Sequence, residues 1–166
     1  CAVQLAELPF SSGRWCHHIA RASRNPKMKI NLQRTITSLT NALDFVGTDE
    51  YHHGKRVALM AVAIAHEMNW PQPRCERMLY AGMLHDCGVS RTKEHRALTE
   101  TLEWEGAQQH CRRGADFLAA CPPLAGFSSI VLWHHTRWER LLLEDLDDDL
   151  RLETNLVFLA DRADVL

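Results

Sequence analysis

The chain has 166 residues, with 19 Lys and Arg against 21 Asp and Glu, a formal net charge of -2 and 46% hydrophobic residues. That length builds one domain with a real core, and the composition excludes wholesale disorder, collagen-like repeats and a coiled coil. The charge balance gives no broad electrostatic reason to bind DNA or an anionic membrane, and the longest apolar run, Val57 to Ala65, is far shorter than the ~20 residues of a membrane span; a soluble, cytoplasmic segment is expected.

Residues 1–28 mix short apolar stretches with Gly, Ser, Pro and Arg and read as a linker or the end of a preceding helix. A first residue that is Cys1 and not Met leads us to expect a longer chain, with a sensor or receiver domain upstream. The domain proper is expected over 29–166. Its first helix follows the spacing Ile30, Leu32, Ile36, Leu39, Leu43, Phe45 and closes at Gly47. Thr48-Asp49-Glu50 caps a second helix through Val57, Met60, Ala61, Ile64 and Met68, ended by Trp70-Pro71. Pro73 opens a third, whose apolar face leads to His85-Asp86. A polar stretch from Ser90 to His95 precedes a long helix from about Leu98 to Ala120, stopped by Cys121-Pro122-Pro123. Leu124 to Trp133 forms the next and delivers His134-His135. Glu144 to Asp149 reads as a solvated acidic loop, and Leu150 to Leu166 as a last amphipathic helix carrying Asp161. No segment sustains a period of two, so the fold expected is an all-α helical bundle.

Histidine is the unusual constituent, at ten residues. His53, His85-Asp86, His110, His134-His135 and Asp161 fall one group to a helix or helix end, so a bundle can aim them all at one interior point. Five imidazoles and two carboxylates exceed the positions around one ion. A carboxylate such as Asp86 can bridge two, which makes a binuclear centre the economical reading. His52 is the neighbour that competes with His53, while His17, His18, His66 and His95 have no partner in the pattern. The six cysteines contain no CxxC pair and suit reduced thiols, with thiolate metal ligation as the lesser alternative. Trp133 and Trp138, which flank the histidine pair, are expected to pack.

The ordered set resembles the metal ligands of the HD superfamily of metal-dependent phosphohydrolases, in its HD-GYP branch. His53-Gly54-Lys55-Arg56-Val57-Ala58 is similar to the branch's opening His-Ser-x-Arg-Val-Ala. Leu84-His85-Asp86-Cys87-Gly88 resembles Leu-His-Asp-Ile-Gly-Lys, and Leu159-Ala160-Asp161-Arg162-Ala163-Asp164 resembles the closing Ala-Asp-x-x-Asp. Two departures stand out. Thr136-Arg137-Trp138-Glu139-Arg140-Leu141 follows the histidine pair with no Gly-Tyr-Pro anywhere, and Val89 replaces the lysine expected to touch a substrate phosphate.

The resemblance implies a helical domain with two divalent ions, iron or manganese first and zinc or nickel as alternatives. His53, His85, Asp86 and Asp161 would hold one ion, and Asp86 would bridge to a second held by His110, His134 and His135. Asp49, one turn before His53, stands where some members recruit a third ion. Two such cations generate a bridging hydroxide that attacks phosphorus without a protein nucleophile, with His85 and Asp86 at the catalytic heart. Arg91 and Lys93 are the candidates to contact the phosphate of a small phosphorylated molecule or nucleotide, cyclic di-GMP among them. Ligands kept and substrate readers lost also fit a weakly active or inactive regulatory domain, and a mixed His/carboxylate site admits a di-iron oxygenase. A homodimer is compatible with this reading.

Overall fold

The computed structural model describes residues 31–44, 52–89 and 107–165. These form helices α1 (Leu32–Asp44), α2 (His53–Glu67), α3 (Gln72–Leu84), α4 (Ala107–Ala119), α5 (Ser128–Trp133), α6 (Trp138–Leu141) and α7 (Asp148–Asp164), with a 3-10 turn at Ala125–Phe127 before α5. The fold is all-α, and there is no strand among the described residues. The expectations for residues 1–28, for Gly47, for the Thr48-Asp49-Glu50 cap and for the start of the long helix near Leu98 lie outside the described residues, as do Asp49, Arg91 and Lys93.

The helices follow from their apolar stripes and caps. On α2, His53, Val57, Ala61 and Ala65 recur every fourth residue and are all buried, so the first imidazole belongs to the core-facing stripe. On α7 the buried stripe is Glu153, Thr154, Leu156, Val157, Ala160 and Asp161, which turns Asp161 inward. On α4 it is His110, Cys111, Ala115 and Leu118. α2 packs most extensively against α3, α4 against α5, and α2 against α7. The core they share includes Ile36, Val57, Met78, Leu84, Leu118, Ile130 and Val157.

Several ends differ from the sequence expectation. α1 begins at Leu32, where Asn31 Oδ1 accepts from the Arg34 amide at 2.9 Å. α2 stops before Trp70-Pro71. Asn69 takes the left-handed conformation (φ 56°), and the amides of Asn69 and Trp70 donate to the carbonyls of His66 and Ala65, the pairing that satisfies the last carbonyls of a helix. The acidic stretch is not all loop. Asp147 caps α7 by accepting from the Leu150 amide at 2.8 Å, and Asp148 and Asp149 form its first turn, where negative charge suits the helix dipole.

Close approaches between helices position the site. A Cβ on Gly82 would stand 2.5 Å from Ala58 Cα, so the glycine lets α3 cross α2 closely. Glu153, buried on α7, accepts from Nε of Arg74 at 3.2 Å and of Arg77 at 2.8 Å, tying α7 to α3. Thr40 docks α1 onto the end of α3 by donating to the Met83 carbonyl at 3.1 Å.

Candidate metal centre

Five elements deliver His53, His85, Asp86, His110, His134, His135 and Asp161 to one interior point. His53 opens α2. His85 and Asp86 follow α3. His110 lies in α4, His134 and His135 follow α5, and Asp161 lies in α7. Adjacent rings are 4.2 Å (His134 to His135) to 5.3 Å (His110 to His134) apart between centroids. His85, His110 and His134 have no exposed surface.

Asp86 divides this group. Its Oδ2 faces Nε2 of His85 at 3.4 Å and of His53 at 3.9 Å. Its Oδ1 faces Nε2 of His110 at 3.3 Å and of His134 at 3.5 Å. Asp161 adds Oδ1 to the first half, 3.3 Å from His53 Nε2 and 3.7 Å from His85 Nε2, while its Oδ2 lies 3.7 Å from His135 Nδ1.

Backbone and carboxylate acceptors set the tautomers. Nδ1 of His85 donates to the Gly82 carbonyl at 2.7 Å, and Nδ1 of His134 to the Val131 carbonyl at 2.7 Å. Nδ1 of His53 donates to Asp164 Oδ2 at 2.6 Å. A carbonyl or carboxylate oxygen can only accept, so when each ring is neutral its proton sits on Nδ1 and its Nε2 lone pair faces the centre. Arg56 grips Asp164 through both oxygens, at 2.7 and 2.8 Å, and fixes the acceptor that orients His53.

Gly88 is where the turn after α3 meets α4. A Cβ there would fall 2.0 Å from the His110 carbonyl and 2.4 Å from the Gly114 amide, and Gly114 has in turn no room for a Cβ beside Val131 and Cys87. Two glycines thus bring Asp86 to His110. Arg113 reinforces the junction by donating to the Gly88 carbonyl at 2.9 Å.

The electrostatics follow from burying opposite charges together. Burial works to raise the carboxyls of Asp86 and Asp161, but the imidazoles around them prevail and hold both below the usual carboxylate range. Burial works to lower His85, and the neighbouring Asp86 charge reverses it, to about 9. Burial carries His134 and His135 down.

The donors suit divalent cations. Among the described residues His85 Nε2, Asp86 Oδ1 and His135 Nε2 are buried and lack a hydrogen-bond partner, and such orphaned groups are costly unless something coordinates them. One donor atom from each of His53, His85 and Asp86 lies within 4.8 Å of the others, and the same holds for His110, Cys111, His134 and His135. Imidazole with carboxylate is a set for zinc, iron, manganese or nickel.

His52 is exposed, with its Nδ1 2.9 Å from Lys55 Nζ, and stands apart from His53. The sequence reading matches Arg56 and Asp164 as motif positions without giving either a role, and does not single out Cys111 from the other cysteines. The signal for the first two was spacing, since Asp164 lies three residues past Asp161 and Arg56 three past His53, on shared helix faces. Cys111 falls on the apolar stripe of α4. Trp133 and Trp138 are half-buried.

A family model for the HD domain matches residues 51–166. The chain is 39% identical over 144 residues to the 3′3′-cGAMP-specific phosphodiesterase 1 of Vibrio cholerae, an alignment covering 87% of this chain and 33% of that protein. The chain therefore spans about a third of the length of the curated relative it matches. No solved structure matches it. Among the described residues no helix is long and apolar enough to cross a membrane.

Proposed function

The chain belongs to the HD-domain family, and from that premise we propose that it is a metal-dependent phosphodiesterase that opens a cyclic dinucleotide. The observation carrying this reading is the division of the Asp86 carboxylate, with Oδ2 toward His53 and His85 and Oδ1 toward His110 and His134. In this reading His53, His85, Asp86 and Asp161 hold one divalent ion, and Asp86, His110, His134 and His135 hold the other. When bound, the pair supplies a water of lowered pKa and positive charge against the phosphoryl oxygens.

The protein's own part is positioning. The Gly82 and Val131 carbonyls and Asp164 keep a proton on the remote nitrogen of His85, His134 and His53, so the lone pairs stay aimed at the centre. Arg162 donates to Asp161 Oδ2 at 2.7 Å, and the hydrogen bond from His53, together with the His85 and His135 rings, keeps that carboxylate charged. Burial of the imidazoles excludes bulk water, which strengthens each electrostatic interaction there. Asp49 as a site for a third ion, and Arg91 and Lys93 as phosphate contacts, belong to this proposal.

The substrate class comes from the activity named for the Vibrio cholerae relative. Within that class cyclic di-GMP is expected to turn over slowly. The Gly-Tyr-Pro string is missing, and Val89, in place of a phosphate-reading lysine, is apolar and buried. A substrate phosphate that goes without such a charged hydrogen bond forgoes about 1.5–3 kcal/mol of positioning. That cost falls on 3′3′-cGAMP and cyclic di-GMP alike, so the difference expected between them rests on the specificity named for the relative and on the missing Gly-Tyr-Pro.

The test is a time course with metal-loaded protein on 3′3′-cGAMP, cyclic di-GMP and a small aryl phosphodiester, with Asp86→Ala as the blank. We expect 3′3′-cGAMP and the aryl ester to be cleaved and cyclic di-GMP to lag by tenfold or more. No turnover of any of them at full metal occupancy would replace this reading with a regulatory metal-binding domain, which the absent Gly-Tyr-Pro favours.

A further inference from the structure

We propose that Cys111 is a ligand of the ion held by His110, His134 and His135, which makes that half of the centre a mixed imidazole-thiolate site. The inference rests on the metal-centre reading above and adds a donor to it. Cys111 has no exposed surface. Its Sγ lies 3.6 Å from Nε2 of His110, the nitrogen that faces the centre. Donors on a zinc-sized ion, with bonds of about 2.0 Å to nitrogen and 2.3 Å to sulfur, stand about 3.3–3.5 Å apart. The 3.4 Å between Nε2 of His110 and Nε2 of His134 and the 3.6 Å to Sγ are close to that spacing.

A second observation points the same way. His135, with a side chain 8% exposed, has a buried Nε2 without a hydrogen-bond partner among the described residues. It belongs to the same four-donor group as Cys111. Cys87 provides the contrast, since its Sγ turns toward the Gly114 carbonyl at 3.8 Å and it belongs to neither donor group. On binding, the S–H bond breaks, its proton passes to solvent, and the sulfur electron pair forms the bond to the ion with no change of oxidation state. A thiolate beside imidazoles favours zinc, cobalt or ferrous iron over manganese or magnesium.

The experiment replaces the native ions with cobalt(II) and records the absorption spectrum. The wild-type protein and Cys87→Ser should show a sulfur-to-cobalt charge-transfer band in the near ultraviolet, and Cys111→Ser should lose it while Asp86 still joins the two halves. Should Cys111→Ser fail to fold, X-ray absorption of the zinc-loaded wild-type and Cys87→Ser proteins decides. A sulfur scatterer at about 2.3 Å in both supports the assignment. Two bound ions with only nitrogen and oxygen neighbours overturn it and leave the proposed function standing. A charge-transfer band that survives in Cys111→Ser also overturns it. A protein that binds no ion overturns both.

Discussion

Oδ1 of Asp86 lies 3.3 Å from Nε2 of His110, joining the turn after α3 to α4. The other oxygen of the same carboxylate serves His85 and His53. Removing Asp86 therefore takes a donor from both halves, whereas removing His110 takes one from a single half. Asp86→Ala is expected to lose both ions and His110→Ala only one, read by metal analysis of protein purified without chelator. Equal stoichiometry in the two variants would contradict a shared carboxylate.

Asp164 holds the proton on His53 Nδ1 and is itself gripped by Arg56. Asp164→Asn removes the charge at nearly constant shape. The expected result is a loss of roughly 10–100-fold in metal affinity, measured by competition against a chelator, with helical content unchanged. Wild-type affinity would show that the ring is held by its burial alone.

Gly88→Ala forces a methyl to within 2.0 Å of the His110 carbonyl and 2.4 Å of the Gly114 amide, both backbone. Backbone cannot rotate away, so α4 must shift. We expect destabilisation of about 3 kcal/mol in denaturant unfolding, together with weakened binding of the ion near His110. Gly82→Ala, crowded against Ala58 instead, should destabilise comparably with less effect on that ion. Gly88→Ala with wild-type stability would refute the close approach.

The metal-free protein should also respond to pH through His85. Its folded value, about 9, lies above its ordinary value of 6.5, so the protonated ring stabilises the folded chain fully below pH 6.5, and this is lost as pH rises through 9. The span corresponds to about 3 kcal/mol at most. A metal ion takes the neutral ring, so the gain in melting temperature on adding zinc should grow between pH 6.5 and pH 9. A gain that shrinks over that window would place the proton elsewhere.

Much of this architecture was legible in the sequence, because apolar spacing every three or four residues reports a buried helix face. It marked α2 and α7 and, with the ordered His and Asp positions, the elements that supply the centre. Short-range chemistry was harder to read. Asp147 caps α7 from inside an acidic run that looked uniformly solvated, and α6, four residues long, carries too little periodicity to be seen. The position of Asn69 in the left-handed region depends on how the chain leaves α2, which its residue type permits and does not demand. Side-chain direction was least visible. Nothing in local spacing says that Arg56 spans 108 residues to grip Asp164, or that Cys111 Sγ faces two imidazoles, because both depend on which helices become neighbours.

The hydrogen bond from His53 to Asp164 joins residues 111 positions apart. A ribosome adding about 5–20 residues per second makes His53 roughly 6–20 s before the carboxylate that will orient it. During that interval His85, Asp86, His110 and His134 are synthesised, yet Asp161 and Asp164 are missing and α2 has no α7 to pack on. At that stage an ion held by His53, His85 and Asp86 would lack the Asp161 carboxylate. In the proposed assignment the other set, Asp86, His110, His134 and His135, is complete before α7 is made, so the ion near His110 would find its ligands first and the ion near His53 would find its last one only when the final helix docks.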